Sequence, residues 1–143
     1  MLRAPIVIVV AFVLAGCPRP PPASPHCISN SELQFKRIDE RVAKYRAGDR
    51  SPGGVYWARY YLETARFVLT GKGIDGSGAA CTARDHDSRE HRDLRKELAA
   101  REKEVVWMEQ QRGVAFAGVV HAGLTWTWIQ NKAPVAQNDA NTL

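Results

Sequence analysis

Ser88-Arg89-Glu90-His91-Arg92-Asp93-Leu94-Arg95-Lys96-Glu97-Leu98-Ala99-Ala100-Arg101-Glu102-Lys103-Glu104-Val105-Val106-Trp107-Met108-Glu109-Gln110-Gln111-Arg112 is the stretch whose reading decides the fold class. It reads as one long charged helix. Leu94, Leu98, Val105 and Met108 recur at spacings of four, seven and three, a narrow apolar seam that Arg101 interrupts. Asp93 with Lys96 and Glu97 with Arg101 are helix-spaced ion pairs, each worth a few tenths of a kcal/mol. Asp87 with Glu90 supplies a capping pattern at the start, where acids also suit the helix dipole. Such a seam is expected to dock on other helices of the chain, the alternative being a partner protein met through residues 88–112.

On the N-terminal side, two shorter helices supply the docking surface. Ser29 with Glu32 is a capping-box pattern, and Phe35, Ile38, Val42 and Tyr45 then fall on one helical face. Gly48 stops that helix, and residues 49–54 form a Pro- and Gly-containing loop. A second helix is expected from about Val55 to Thr70, ending at Gly71, with Trp57, Tyr61, Ala65 and Val68 as its apolar stripe. The short connection implies an antiparallel hairpin. The expected fold is therefore mainly α: a small helical domain over residues 28–112, built from a helical hairpin and one long charged helix.

Three clusters in this region invite chemical readings. Tyr56, Trp57, Tyr60 and Tyr61, with Arg59 and Arg66 nearby, are expected mainly as packing, with a glycan or peptide platform as the alternative. Gly71-Lys72-Gly73-Ile74-Asp75-Gly76 matches G-x-G-x-x-G in letters. The dinucleotide motif, however, needs a strand before it and a helix directly after it, so this stretch reads as a loop and no cofactor is expected. In Asp85-His86-Asp87-Ser88-Arg89-Glu90-His91, the pairs Asp87/His91 and His86/Glu90 are each one turn apart and could each donate two metal ligands. Neither pair completes a site, and nearby cations oppose one, so no metal is expected.

Beyond Arg112, Gly113–Ile129 carries no formal charge and ends before Lys132. Residues 113–130 are expected as a buried helix or a membrane span, with Trp126 and Trp128 placed like an interfacial belt. The alternation Leu124-Thr125-Trp126-Thr127-Trp128-Ile129 leaves a strand as a third reading. Residues 131–143 are expected as a flexible tail.

The N-terminus reads as an address. Arg3, an apolar run from Ala4 to Leu14 and the small residues Ala15-Gly16 form a secretory signal pattern over residues 1–16, too short for a comfortable span. Leu14-Ala15-Gly16-Cys17 resembles the lipobox of bacterial lipoproteins. The resemblance implies cleavage before Cys17 and its acylation, with palmitate among the chains that anchor the mature protein to a membrane. Pro18 rather than aspartate after that cysteine implies delivery to the outer membrane, facing the periplasm, in a Gram-negative host. Residues 17–27 then form a lipidated Pro-rich tether, stiffened towards polyproline II by Pro18–Pro25.

Export also decides the remaining cysteines. With Cys17 acylated, Cys27 and Cys81 are expected to pair in an oxidising compartment, the alternatives being free thiols or intermolecular bridges. The whole chain has 143 residues, 45% hydrophobic and 24% charged, with a net charge of +5. A mean hydropathy of −0.32 excludes a polytopic membrane protein. Loss of Arg3 would lower the charge to +4, and no run of more than two consecutive cations occurs, so nucleic acid is not an expected partner. No nucleophile–base–orienter set stands out, and an enzyme is not expected. A lipid-anchored, non-catalytic envelope module of structural or interaction type is the expected function. One alternative is a binding protein using the Tyr56–Tyr61 cluster. The other rests on layout: Cys17 plus a C-terminal span resembles phage unimolecular spanins, which join outer and inner membranes.

Overall fold

The computed structural model describes residues 19–51, 53–71, 80–120, 125–130 and 133–137. The signal pattern, Cys17 and most of the glycine-rich stretch after Gly71 lie outside them. The protein is mainly helical; among the described residues there are three helices, α1 (Pro25–Arg46), α2 (Gly54–Thr70) and α3 (Arg89–Gln111), and a 3₁₀ turn at Asp85–Asp87.

Helix α1 begins at Pro25, earlier than the Ser29–Glu32 pattern suggests. Ser24 is the N-cap, accepting from the Cys27 N–H at 3.2 Å, and Pro25 occupies the first turn, where its missing N–H costs nothing. The tether expected over residues 17–27 therefore ends at Ser24, and Cys27 belongs to the helix. Phe35, Ile38, Val42 and Tyr45 are all buried, as their spacing requires.

Helix α2 runs back antiparallel to α1, and Gly71 closes it in the left-handed region at φ 69°, where a Cβ would be strained. Its buried face is Val55, Ala58, Leu62, Ala65 and Leu69 rather than the expected stripe. Ala65 and Val68 are buried as expected, but Trp57 and Tyr61 are only half-buried. Small Ala58 and Ala65 let the backbones approach and turn the large rings towards the rim.

Helix α3 lies antiparallel to α2 and closes a three-helix bundle. Its cap is Ser88, whose hydroxyl accepts from the His91 N–H at 3.1 Å, a place the Asp87/Glu90 pattern assigns one residue too early. Leu94, Leu98, Val105 and Met108 are all buried against the hairpin. Arg101 does not break the seam: its guanidinium lies 4.4 Å from the centroid of the Phe35 ring and reaches Asp39 at 2.8 Å and Glu97 at 2.6 Å. Cation–π contact and pairing at the edge let an arginine occupy an apolar row.

The segment after Arg112 corrects the helical expectation. Val114–Val120 is strand β1, Thr125–Gln130 is β2 and Ala133–Gln137 is β3, in an antiparallel sheet of order β1-β2-β3. The register pairs Phe116 with Trp128 and Val119 with Trp126, then Trp128 with Val135. Val114 is buried and Phe116 half-buried while Ala115 and Ala117 are exposed, the alternation of a strand with one covered face. The register shifts between Phe116 and Gly118, where Gly118 has a φ of 143° that a side chain would resist, so the glycine permits the bulge. Part of the expected flexible tail, residues 133–137, is likewise a strand. Among the described residues no helix is long and apolar enough to cross a membrane, and Val114–Val120 and Thr125–Gln130, within the stretch matched to a spanin's span, are strands.

Candidate functional site

The start of α1 is fastened to the segment before α3 both covalently and by hydrogen bonds. Cys27 and Cys81 form a disulfide, with Cα atoms 4.5 Å apart across a sequence separation of 54. Both cysteines are buried, and the Cys81 N–H also bonds the Val68 carbonyl at 3.0 Å. The intramolecular pairing is thus the one the fold adopts.

Beside it, Asp85 joins two distant segments. Its carboxylate accepts from the Ser24 N–H at 2.8 Å and the Thr82 N–H at 2.7 Å, and from the hydroxyls of Ser24 at 3.4 Å and Thr82 at 3.2 Å. The Ser24 amide, then the Thr82 amide, hold its pKa below the usual carboxylate value of 3.8 because both bonds favour the charged form. A depressed folded pKa adds stability above the unfolded value, and that stability is lost as pH falls through the folded pKa. Acid titration should therefore loosen the tether root below about pH 4. Asp85→Ala should cost about 2–3 kcal/mol at pH 7 and weaken that acid dependence, because it leaves two amide donors unmet. Urea unfolding at pH 7 and at pH 3 reads both effects; identical losses at the two pH values would contradict the role of the charged form.

At the opposite end of the bundle stands the aromatic cluster. Tyr56, Trp57, Tyr60 and Tyr61 are half-buried on one side of α2. Trp57 and Tyr61 stack at 6.0 Å, while Tyr56 and Tyr60 meet Trp57 edge-on at 5.2 and 5.5 Å. The Arg37 guanidinium lies 5.4 Å from the Tyr61 ring centroid. Tyr56, Tyr60 and Tyr61 pack on the core with one side, as the packing reading expects. Burial raises the Tyr56 pKa above 10.0, so its hydroxyl stays a neutral donor. From Tyr56 to Thr70 the helix rises about 21 Å, which separates this face from the tether root.

Arg59, between those rings in sequence, faces inward. Its guanidinium bonds both carboxylate oxygens of Glu109 (one of them at 3.2 Å) and Glu63 at 3.1 Å, and lies 4.5 Å from the Phe116 ring centroid. All three charged side chains are buried. Sequence reasoning missed this triad. Its trace was the i, i+4 spacing of Arg59 and Glu63 beside the buried Ala58 and Leu62.

The histidine–acid cluster divides rather than converges. His91 is buried and bonds the Leu69 carbonyl through Nε2 at 2.9 Å, while His86 is exposed with its ring 4.5 Å away. Asp87 is exposed, and its carbonyl accepts from Arg92 at 3.2 Å. Among the described residues no group of three His, Cys, Asp or Glu side chains is placed to hold a metal ion. Ser24, Ser31 and Ser88 bond backbone groups of their own segments.

No family model, curated protein or solved structure matches the chain.

Proposed function

We propose that this is a lipid-anchored envelope protein, tethered to the outer membrane through Cys17, whose helical bundle is a non-catalytic interaction module. The observation that carries the proposal is polarity along the bundle. The Pro-rich tether enters at the end closed by Cys27–Cys81 and Asp85, and the half-buried aromatic face of α2 lies at the other end. A pull on the tether is borne by a covalent bond beside a charged clamp, so it is not transmitted to the first turns of α1 alone. The aromatic rings are held away from the anchored end, and amphipathic Tyr and Trp suit a face that meets a partner. A partner meeting α3 would find a mostly charged side with Val106 exposed on it, because the apolar seam is spent on the hairpin.

Alkaline extraction of membranes tests the anchor. The full chain should stay in the membrane fraction, and Cys17→Ser should be released in full. Retention of the Cys17→Ser chain would contradict a single lipid anchor and favour the spanin-like layout.

A further inference from the structure

Near the tether root, α2 and α3 enclose a concavity of about 470 Å³ lined by Arg66, Thr70, His86, His91 and Arg95. None of these side chains is a carboxylate, the two arginines bring positive charge, and the Thr70 hydroxyl donates to the Arg66 carbonyl at 2.7 Å. Arg66 is fixed from behind by Glu63 at 3.3 Å and Glu102 at 2.9 Å. Arg95 is exposed and pairs with no carboxylate among the described residues.

His91 sharpens the ligand's chemistry. A carbonyl only accepts, so the bond to Leu69 places the imidazole proton on Nε2 and leaves Nδ1 a lone pair. That Nδ1 is buried and has no hydrogen-bond partner. Burial lowers the His91 pKa from 6.5 against the opposing Leu69 bond, and His86 and Arg95 lower it further, so the ring is neutral at pH 7. A ligand completing this wall must be anionic towards the arginines and must also bring a proton.

We propose that the concavity binds a protonated phosphate oxyanion, with Arg66 and Arg95 taking its charged oxygens and its P–OH donating to His91 Nδ1. The exposed His86 ring, tilted 38° against His91, moves aside to admit it. Sulfate has the same shape and no proton at neutral pH, so it sets a lone pair against a lone pair. A phosphate of this kind comes free in solution or as the monoester headgroup of a lipid. The proposal does not depend on lipidation of Cys17.

Calorimetric titration of the full chain in detergent at pH 7 with inorganic phosphate, then with sulfate, tests the pocket. Phosphate should bind at millimolar concentration or below, and sulfate should bind at least about tenfold more weakly for want of one hydrogen bond. Arg95→Ala should weaken phosphate binding about tenfold through loss of a charge-assisted contact, with the unfolding midpoint unchanged because Arg95 is exposed. Short-chain phosphatidic acid separates the sources. If it displaces phosphate at lower concentration than phosphate itself binds, the pocket takes a lipid headgroup; if it does not, the pocket takes the free ion. No phosphate binding at millimolar concentration, equal affinity for sulfate, or an Arg95→Ala chain that binds as tightly would each overturn the proposal.

Discussion

Replacing Cys27 and Cys81 together by alanine is expected to destabilise the fold by about 4 kcal/mol, since the bridge closes a long loop in the unfolded chain. For a bundle of this size that corresponds to a fall in Tm on the order of 20 °C. Alanine keeps the buried site apolar, so the loss reports the crosslink rather than an unmet hydroxyl. The effect should be reproduced by reductant on the unaltered chain and should vanish when reductant is added to the double variant. A midpoint that moves by less than about 1 kcal/mol would mean that the unfolded chain stays compact around this loop, or that Asp85 alone holds the root. Because Cys27 sits in the first turn of α1 beside the Ser24 cap, the destabilised molecule should fray there first. Hydrogen exchange at the Cys27 and Ile28 amides would rise before exchange in α3.

The second large effect lies at the other end. Arg59→Met should cost about 3–5 kcal/mol, because Glu109 loses its two-point cation in a buried site and Glu63 keeps only the partly exposed Arg66 of its two arginines. The cost belongs to the stranded carboxylates and not to the arginine's own attraction, and a combined variant separates the two. Arg59→Met with Glu63→Gln and Glu109→Met should recover most of the loss. An Arg59→Met chain as stable as the parent in urea would contradict burial of the triad. The triad also connects helices to sheet: Arg59 on α2 pairs with Glu109 on α3 and lies against Phe116 on β1. Its loss is therefore expected to loosen the packing of β1 against α3 while the disulfide end stays folded.

The two sites differ in how far they could be read before the fold was known. Helical spacing placed Phe35, Ile38, Val42 and Tyr45 on one face, and the α3 seam on another, because burial in a bundle follows periodicity directly. Glycine marked the end of α2 for a conformational reason that Gly71 meets. The start of α1 was misplaced because Ser24-Pro25 looks like the end of a proline spacer, when in fact a capping serine and a first-turn proline make a helix start. Asp85 was legible only as one acid in a cluster; its chief donor, Ser24, is 61 residues away, a separation that no local pattern encodes. The apolar run 113–130 was ambiguous in kind, since a short uncharged stretch serves a buried helix and a strand equally well. The alternation from Leu124 to Ile129 was its informative part, and the β-branched Val114, Val119 and Val120 agree with it.

By the proposed function Cys17 carries lipid, while Cys27 and Cys81 staple the start of α1 to the rest of the fold. Mass spectrometry of unreduced protein from membranes, digested into peptides, tests both halves at once. The expected products are an N-terminal peptide that begins at Cys17 and carries the mass of its acyl chains, together with a Cys27–Cys81 crosslinked peptide. A peptide running intact from Leu14 through an unmodified Cys17 would contradict the proposal.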